Sequence, residues 1–216
     1  MSTTDDSQRL NKVGLVLHNA AFYDLTVWLM TLGRERHFRE ALLDRARVSS
    51  GEAILDVGCG TGSLAIVAKR RVGALGRVSG VDASPEMLAR AEKKARKARE
   101  SVEFKQAPVQ SLPYPDRLFD CATATVMMHH LSRKSRGECA TEVLRVLKPS
   151  GRFLVIEFGA SIGGHGPLRH FHRRGHVELG EIVQLLEGVG FKIDQRGQIG
   201  FRNMHFVLAT KALLPE

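Results

Sequence analysis

The residues best suited to chemistry fall into two groups. The first is the run 55–62, Leu-Asp-Val-Gly-Cys-Gly-Thr-Gly, where an apolar stretch, Ala53–Val57, enters a glycine-rich turn that opens a helix over 63–71. Glycine permits backbone torsions and a close ligand approach that a β-carbon would block. In an open α/β sheet such a turn lies beyond the carboxyl ends of the strands, where ligands bind. A dinucleotide fingerprint needs Gly-x-Gly-x-x-Gly. Here Gly58 and Gly60 are followed by Gly62 one position early, and Ser63 stands where the third glycine belongs. Asp56 adds an anion beside the turn, which repels a pyrophosphate and suits a cationic ligand. Asp82, closing the next apolar run, is placed to accept from both hydroxyls of an unphosphorylated ribose. Capping of the following helix is its competing role, but Ser84 already fills that position.

The second group consists of possible proton acceptors. His129 and His130 follow the apolar run 119–125, Glu157 ends the run 152–158, and His165 sits in a glycine-rich loop. Each stands where a general base belongs in an α/β fold. The competing roles are structural: a histidine capping the next helix or packing beneath a cover, and Glu157 orienting substrate or binding a backbone amide. The stretch His165, His170, His172 and His176 invites a metal reading, since His172 and His176 have i, i+4 spacing. Gly175 interrupts that pair and no cysteine is near, so no metal is expected. With Arg169, Arg173 and Arg174 interleaved, the stretch reads as an anion-facing surface.

From Gly51 onward strands and helices alternate, which implies a mostly parallel sheet covered on both faces. Strands are expected at 53–57, 77–81, 102–105, 119–125, 152–158, 191–194 and 205–210. Helices are expected at 63–71, from Pro85 through the basic run 90–99, at 136–147 and at 178–188, with a turn at 148–151. The short link before the final strand predicts that this strand inserts antiparallel. The expected architecture is a Rossmann-like, doubly wound seven-stranded sheet with an amino-terminal helical lid. Residues 1–12 read as a disordered tail, 13–48 as a two-helix apolar cover carrying Tyr23 and Trp28, and 49–216 as the ligand-binding domain.

The chain has 216 residues, 43% of them hydrophobic and 25% charged, as expected of one soluble globular domain. Neither a signal-like opening nor a bilayer-length apolar run is seen, and the three cysteines, Cys59, Cys121 and Cys139, lack Cys-x-x-Cys spacing. A cytoplasmic location is the expectation. The net charge of +9 is spread over several runs. In the run 90–99 the alanines at 89, 91, 95 and 98 form a thin stripe without interleaved aromatics, which predicts a solvated helix face rather than a nucleic-acid patch.

Residues 51–158 resemble the class I S-adenosylmethionine-dependent methyltransferases, most closely the ubiquinone and menaquinone biosynthesis C-methyltransferase branch. The similarity rests on residues 55–62, 81–88, 112–116 with Phe119-Asp120, 129–131 and 142–151. It implies S-adenosylmethionine as cofactor, with Asp56, Gly58, Gly60, Gly62, Asp82, Ala83 and Met87 around it. It also implies adenine beside Pro108 and Val109, the methionine moiety near Thr125, and Tyr23 closing over the ligand. One departure stands out. The family places Asp-Ala at 108 and 109, the aspartate accepting from the adenine amino group. Pro108 has no side-chain acceptor, so that contact falls to a backbone carbonyl, to Gln110 or to water.

In-line methyl transfer asks the protein to align nucleophile and methyl group and to exclude water. A small-molecule or lipid-like acceptor is the leading expectation, since the cover at 15–32 is apolar. An RNA or protein acceptor is the alternative suggested by the charge. Against it, Thr125-Val126-Met127-Met128 lacks the Asn/Asp-Pro-Pro-Tyr turn of enzymes acting on nucleobase amino groups. A non-catalytic cofactor-binding protein is the third reading, supported by Pro108. Oligomeric state is not legible.

Overall fold

The computed structural model describes residues 35–159, 177–200 and 203–212. In chain order the elements are α1 (Glu35–Arg45), β1 (Ala53–Val57), α2 (Ser63–Val72), β2 (Arg77–Asp82), α3 (Pro85–Ala98), β3 (Glu103–Gln106), β4 (Phe119–Thr125), a 3₁₀ turn (Met128–His130), α4 (Arg133–Val146), β5 (Leu147–Phe158), α5 (Leu179–Val189), β6 (Phe191–Gln198) and β7 (Met204–Lys211). The strands form one sheet in the order β3-β2-β1-β4-β5-β7-β6. All neighbours are parallel except β7, which runs antiparallel to both β5 and β6. This is the expected topology. The strand order reverses between β1 and β4, and the crevice beyond their carboxyl ends is where such sheets bind ligands.

The central strands are apolar throughout because both their faces are covered. Successive side chains of β1 point to opposite faces. Leu55 and Val57 pack with Ala122, Val143 and Leu186 under α4 and α5. Ile54 packs with Leu64, Ala68 and Leu154 under α1 and α2. Phe38, Leu42 and Leu43 of α1 are buried in that second cluster, so α1 is bound to the sheet domain through its core. Residues 1–34, including the expected tail, most of the cover and Tyr23, lie outside the described residues. So do His165, His170, His172 and His176.

Several boundaries differ from expectation for local reasons. Helix α4 starts at Arg133, because the Ser132 hydroxyl accepts the Ser135 N–H at 3.1 Å. The expected break at 148–151 falls inside β5, which pairs Leu147 with Phe119 and, after a register shift, Arg152 with Cys121. Helix α5 runs past Gly188 and stops at the left-handed Gly190, φ 107°. Strand β6 continues to Gln198 because β7 is long enough to pair along it from Phe191 to Gln198, with a bulge at Asp194. On α3 the inward face is Met87, Leu88, Ala91 and Ala95, whereas Ala89 is exposed. Nor is the basic run wholly solvated. The Lys94 ammonium turns inward and donates to Thr61 Oγ1 at 3.1 Å and to Ser63 Oγ.

Candidate cofactor site

The turn after β1 is fixed by its own backbone and by β2. Cys59 N–H donates to the Val81 carbonyl at 2.9 Å, Gly60 N–H to Asp82 Oδ2 at 2.8 Å and Gly62 N–H to the Cys59 carbonyl at 2.9 Å. Gly58, Gly60 and Gly62 have φ of 66°, 52° and 72°, a region that L side chains avoid. Two of them also need the missing β-carbon for space. A Cβ on Gly62 would meet Ala91 and Phe104 at 2.8 Å, and one on Gly58 would meet Met127 at 3.0 Å. The chain after β4 therefore presses directly on the glycine turn.

Asp82 accepts the Gly60 N–H on Oδ2 at 2.8 Å and the Ser84 N–H on Oδ1 at 2.9 Å, with a further backbone donor at Ala83. A carboxylate offers about four lone-pair sites, so acceptor capacity is left for a ligand. Burial raises the Asp82 pKa above the usual carboxylate range, and the backbone donors at Ser84, Gly60 and Ala83 oppose that shift. Ser84 caps α3 as expected, its hydroxyl accepting the Met87 N–H at 3.3 Å. Ala83 lies half-buried beside it, its carbonyl holding the Gln106 amide at 3.2 Å.

Asp56 is buried and faces the protein. Its Oδ1 accepts the Thr123 hydroxyl at 2.8 Å, and the carboxylate also receives the Ala65 N–H in the first turn of α2. That helix has no side-chain cap of its own at Gly62, so a carboxylate from β1 complements its amino-terminal partial charge. Desolvation lifts the Asp56 pKa to about 6. Thr123, Arg39 and Ala65 hold it down, and Asp82 pushes it further up.

The loop between β3 and β4 closes the crevice on the other side. Ala107 N–H donates to the Asp82 carbonyl at 3.2 Å, and Ser111 N–H to the Pro108 carbonyl at 3.0 Å. The far end is clamped from α4. Glu142 accepts the Leu112 N–H at 2.7 Å, while Arg145 donates to the carbonyls of Leu112 and Tyr114 and to Asp116. Val109 is buried and Pro108 half-buried. Three buried polar atoms have no partner among the described residues, Gln110 Oε1 and Tyr114 Oη in the loop after β3 and Thr125 Oγ1 at the end of β4. An unpaired buried polar atom costs about 1–3 kcal/mol, and at a binding site that deficit is met when a ligand arrives. Val126, next to Thr125, adopts φ 53°, a strained conformation for a β-branched residue.

The structure brings His129 and Glu157 together. Glu157 is buried, and its Oε1 accepts the N–H groups of Met128 at 2.6 Å and His129 at 3.3 Å. Its Oε2 lies 2.8 Å from His129 Nδ1. Both Glu157 oxygens are thus engaged within the protein, by the turn at 128–129 and by the His129 ring. A carboxylate on Nδ1 selects the tautomer with the proton there and leaves the Nε2 lone pair available. His130 stacks at a tilt on His129, ring centroids 3.9 Å apart. Burial, then His129, lowers its pKa.

The residues present fit a cationic adenosyl ligand: a carboxylate with spare acceptors, a turn only glycine can make, and orphaned acceptors on both flanks. Residues 54–151 match a family model described as a methyltransferase domain. With the seven-stranded topology, this identifies residues 54–151 as a class I S-adenosylmethionine-dependent methyltransferase domain, whose cofactor is S-adenosylmethionine. The chain's sequence is similar to the ubiquinone/menaquinone biosynthesis C-methyltransferase UbiE of Pseudomonas entomophila, 38% identical over 156 residues. That match covers 71% of this chain and 60% of the relative. The UbiE protein of Enterobacter sp. is 36% identical over 163 residues, 74% of this chain and 64% of its own length. The chain thus spans less than two thirds of these curated relatives. Among solved structures, a SAM-dependent methyltransferase from Aquifex aeolicus superposes with a TM-score of 0.73 at 24% identity, covering 83% of this chain and 93% of that one. Among the described residues no helix is long and apolar enough to cross a membrane.

Proposed function

We propose that the protein transfers a methyl group from S-adenosylmethionine to a small quinone-like or lipid-like acceptor, with His129 as the general base. The observation that carries the acceptor class is the 38% identity to a quinone-biosynthesis C-methyltransferase. The one that carries the base is the 2.8 Å contact between Glu157 and His129 Nδ1.

When bound, S-adenosylmethionine supplies a methyl group activated by its sulfonium. Asp82 accepts from the ribose hydroxyls, and the backbone at Gly58 and Gly60 allows close approach. Thr125 Oγ1 accepts from the amino group of the methionine end. Met87, Pro108 and Val109 border the adenine. Asp56 serves this site indirectly by holding the start of α2. At His129, Nε2 takes the proton of an acidic hydroxyl on the acceptor. In a phenolic or quinol ring this makes the neighbouring carbon nucleophilic, and once that carbon is methylated its ring proton is lost to solvent as the imidazolium returns its proton to the hydroxyl. The Glu157 carboxylate stabilises the imidazolium that forms, through Nδ1–H. His130, whose pKa is lowered first by burial and then by His129, packs against this pair.

The test is a methyl-transfer assay read by mass spectrometry with demethylated benzoquinols and naphthoquinols, using Asp82→Ala as the binding-deficient control. His129→Asn should lower kcat by ~10²-fold or more with cofactor affinity unchanged, the range expected for loss of a general base. Glu157→Gln should lower kcat less and shift its pH profile. Methyl transfer to aqueous-phase polymers, with none to quinols, would instead favour an RNA or protein acceptor. An unchanged kcat in His129→Asn would remove the base.

A further inference from the structure

The position at which the family presents an aspartate to the adenine amino group is occupied here by Pro108, which has no side-chain acceptor. The Pro108 carbonyl already accepts the Ser111 N–H at 3.0 Å. The turn carrying these residues is held at both ends, by Ala107 on the Asp82 carbonyl and by Leu112 on Glu142 and Arg145. Gln110 lies on this fixed turn, and its Oε1 is buried with no hydrogen-bond partner among the described residues. A terminal amide torsion is broad and roughly two-fold, so an amide bound to nothing on its oxygen side is free to turn toward a ligand. Gln carries an acceptor and a donor side by side, the pattern that pairs with the amino group and adjoining ring nitrogen of adenine.

We propose that Gln110 reads the adenine of the cofactor, its amide replacing the absent aspartate. The inference rests on the cofactor assignment above and goes beyond it in naming the base-reading side chain. It predicts discrimination between 6-amino and 6-oxo purines that depends on one residue.

Calorimetric titration of the intact protein with S-adenosylhomocysteine and with its 6-oxo counterpart, S-inosylhomocysteine, tests this without any methyl acceptor. The wild type should prefer the adenosyl ligand by ~10-fold, the scale of one well-made hydrogen bond. Gln110→Leu should lose that preference, chiefly by weaker adenosyl binding. Gln110→Glu, which keeps an acceptor of the same reach, should retain most of it. Equal weakening toward both ligands would assign Gln110 a merely structural role, and an unchanged preference in Gln110→Leu would give the contact to the backbone or to water. Either result overturns the proposal. Failure of the wild type to bind S-adenosylhomocysteine at all would instead strike the cofactor assignment on which it rests.

Discussion

Replacing Asp56 by asparagine should change how the protein's stability depends on pH, because this carboxylate is buried under the start of α2. Its pKa is raised from 3.8 to about 6, first by desolvation. A group that binds its proton more tightly when folded stabilises the fold below its unfolded pKa, and that contribution is lost as pH rises through the folded value. At 1.36 kcal/mol per unit the full effect is about 3 kcal/mol, of which about 2 kcal/mol falls between pH 4.5 and 7.5. An asparagine side chain cannot titrate, though its amide oxygen can still accept from Thr123. The stability of Asp56→Asn relative to wild type should therefore rise by about 2 kcal/mol over that interval, on top of a constant offset from the Ala65 N–H contact. Urea unfolding curves of both proteins at four pH values measure this difference. A difference flat to within ~0.5 kcal/mol would show that Asp56 is ionised normally in the fold and that desolvation does not govern it.

Gly62→Ala combines a left-handed φ of 72° with a Cβ 2.8 Å from Ala91 and Phe104. It should destabilise by ~2–4 kcal/mol, measured as a lower denaturation midpoint. Thr125→Val removes an unpartnered hydroxyl with little change in shape. Its stability should be unchanged or higher by up to ~1 kcal/mol, while S-adenosylmethionine affinity, read by calorimetry, falls. Unchanged affinity would separate Thr125 from the ligand.

The alternation of strands and helices, the antiparallel last strand and the glycine turn were all legible in the order of the residues. They follow from local periodicity and from torsions only glycine adopts readily, both written in consecutive positions. The position of Asp82 at the end of β2, with Ser84 as the cap of the next helix, was legible for the same reason. What the other polar groups do depended on the assembled fold. Asp56 reads as an anion beside the glycine turn, but its partners Thr123 and Ala65 come from β4 and α2 and are not legible from its own strand. Glu157 reads as one of four possible bases or as a residue that binds a backbone amide, and the amides of His129 and Met128 that it does bind lie 28 and 29 residues away. Lys94 sits in a run that reads as a solvated face and turns inward to Thr61, 33 residues away. Periodicity states which way a side chain faces its own element. Hydrogen-bond satisfaction in a low-dielectric interior depends on which distant elements the topology brings alongside, and that is set only when the sheet closes.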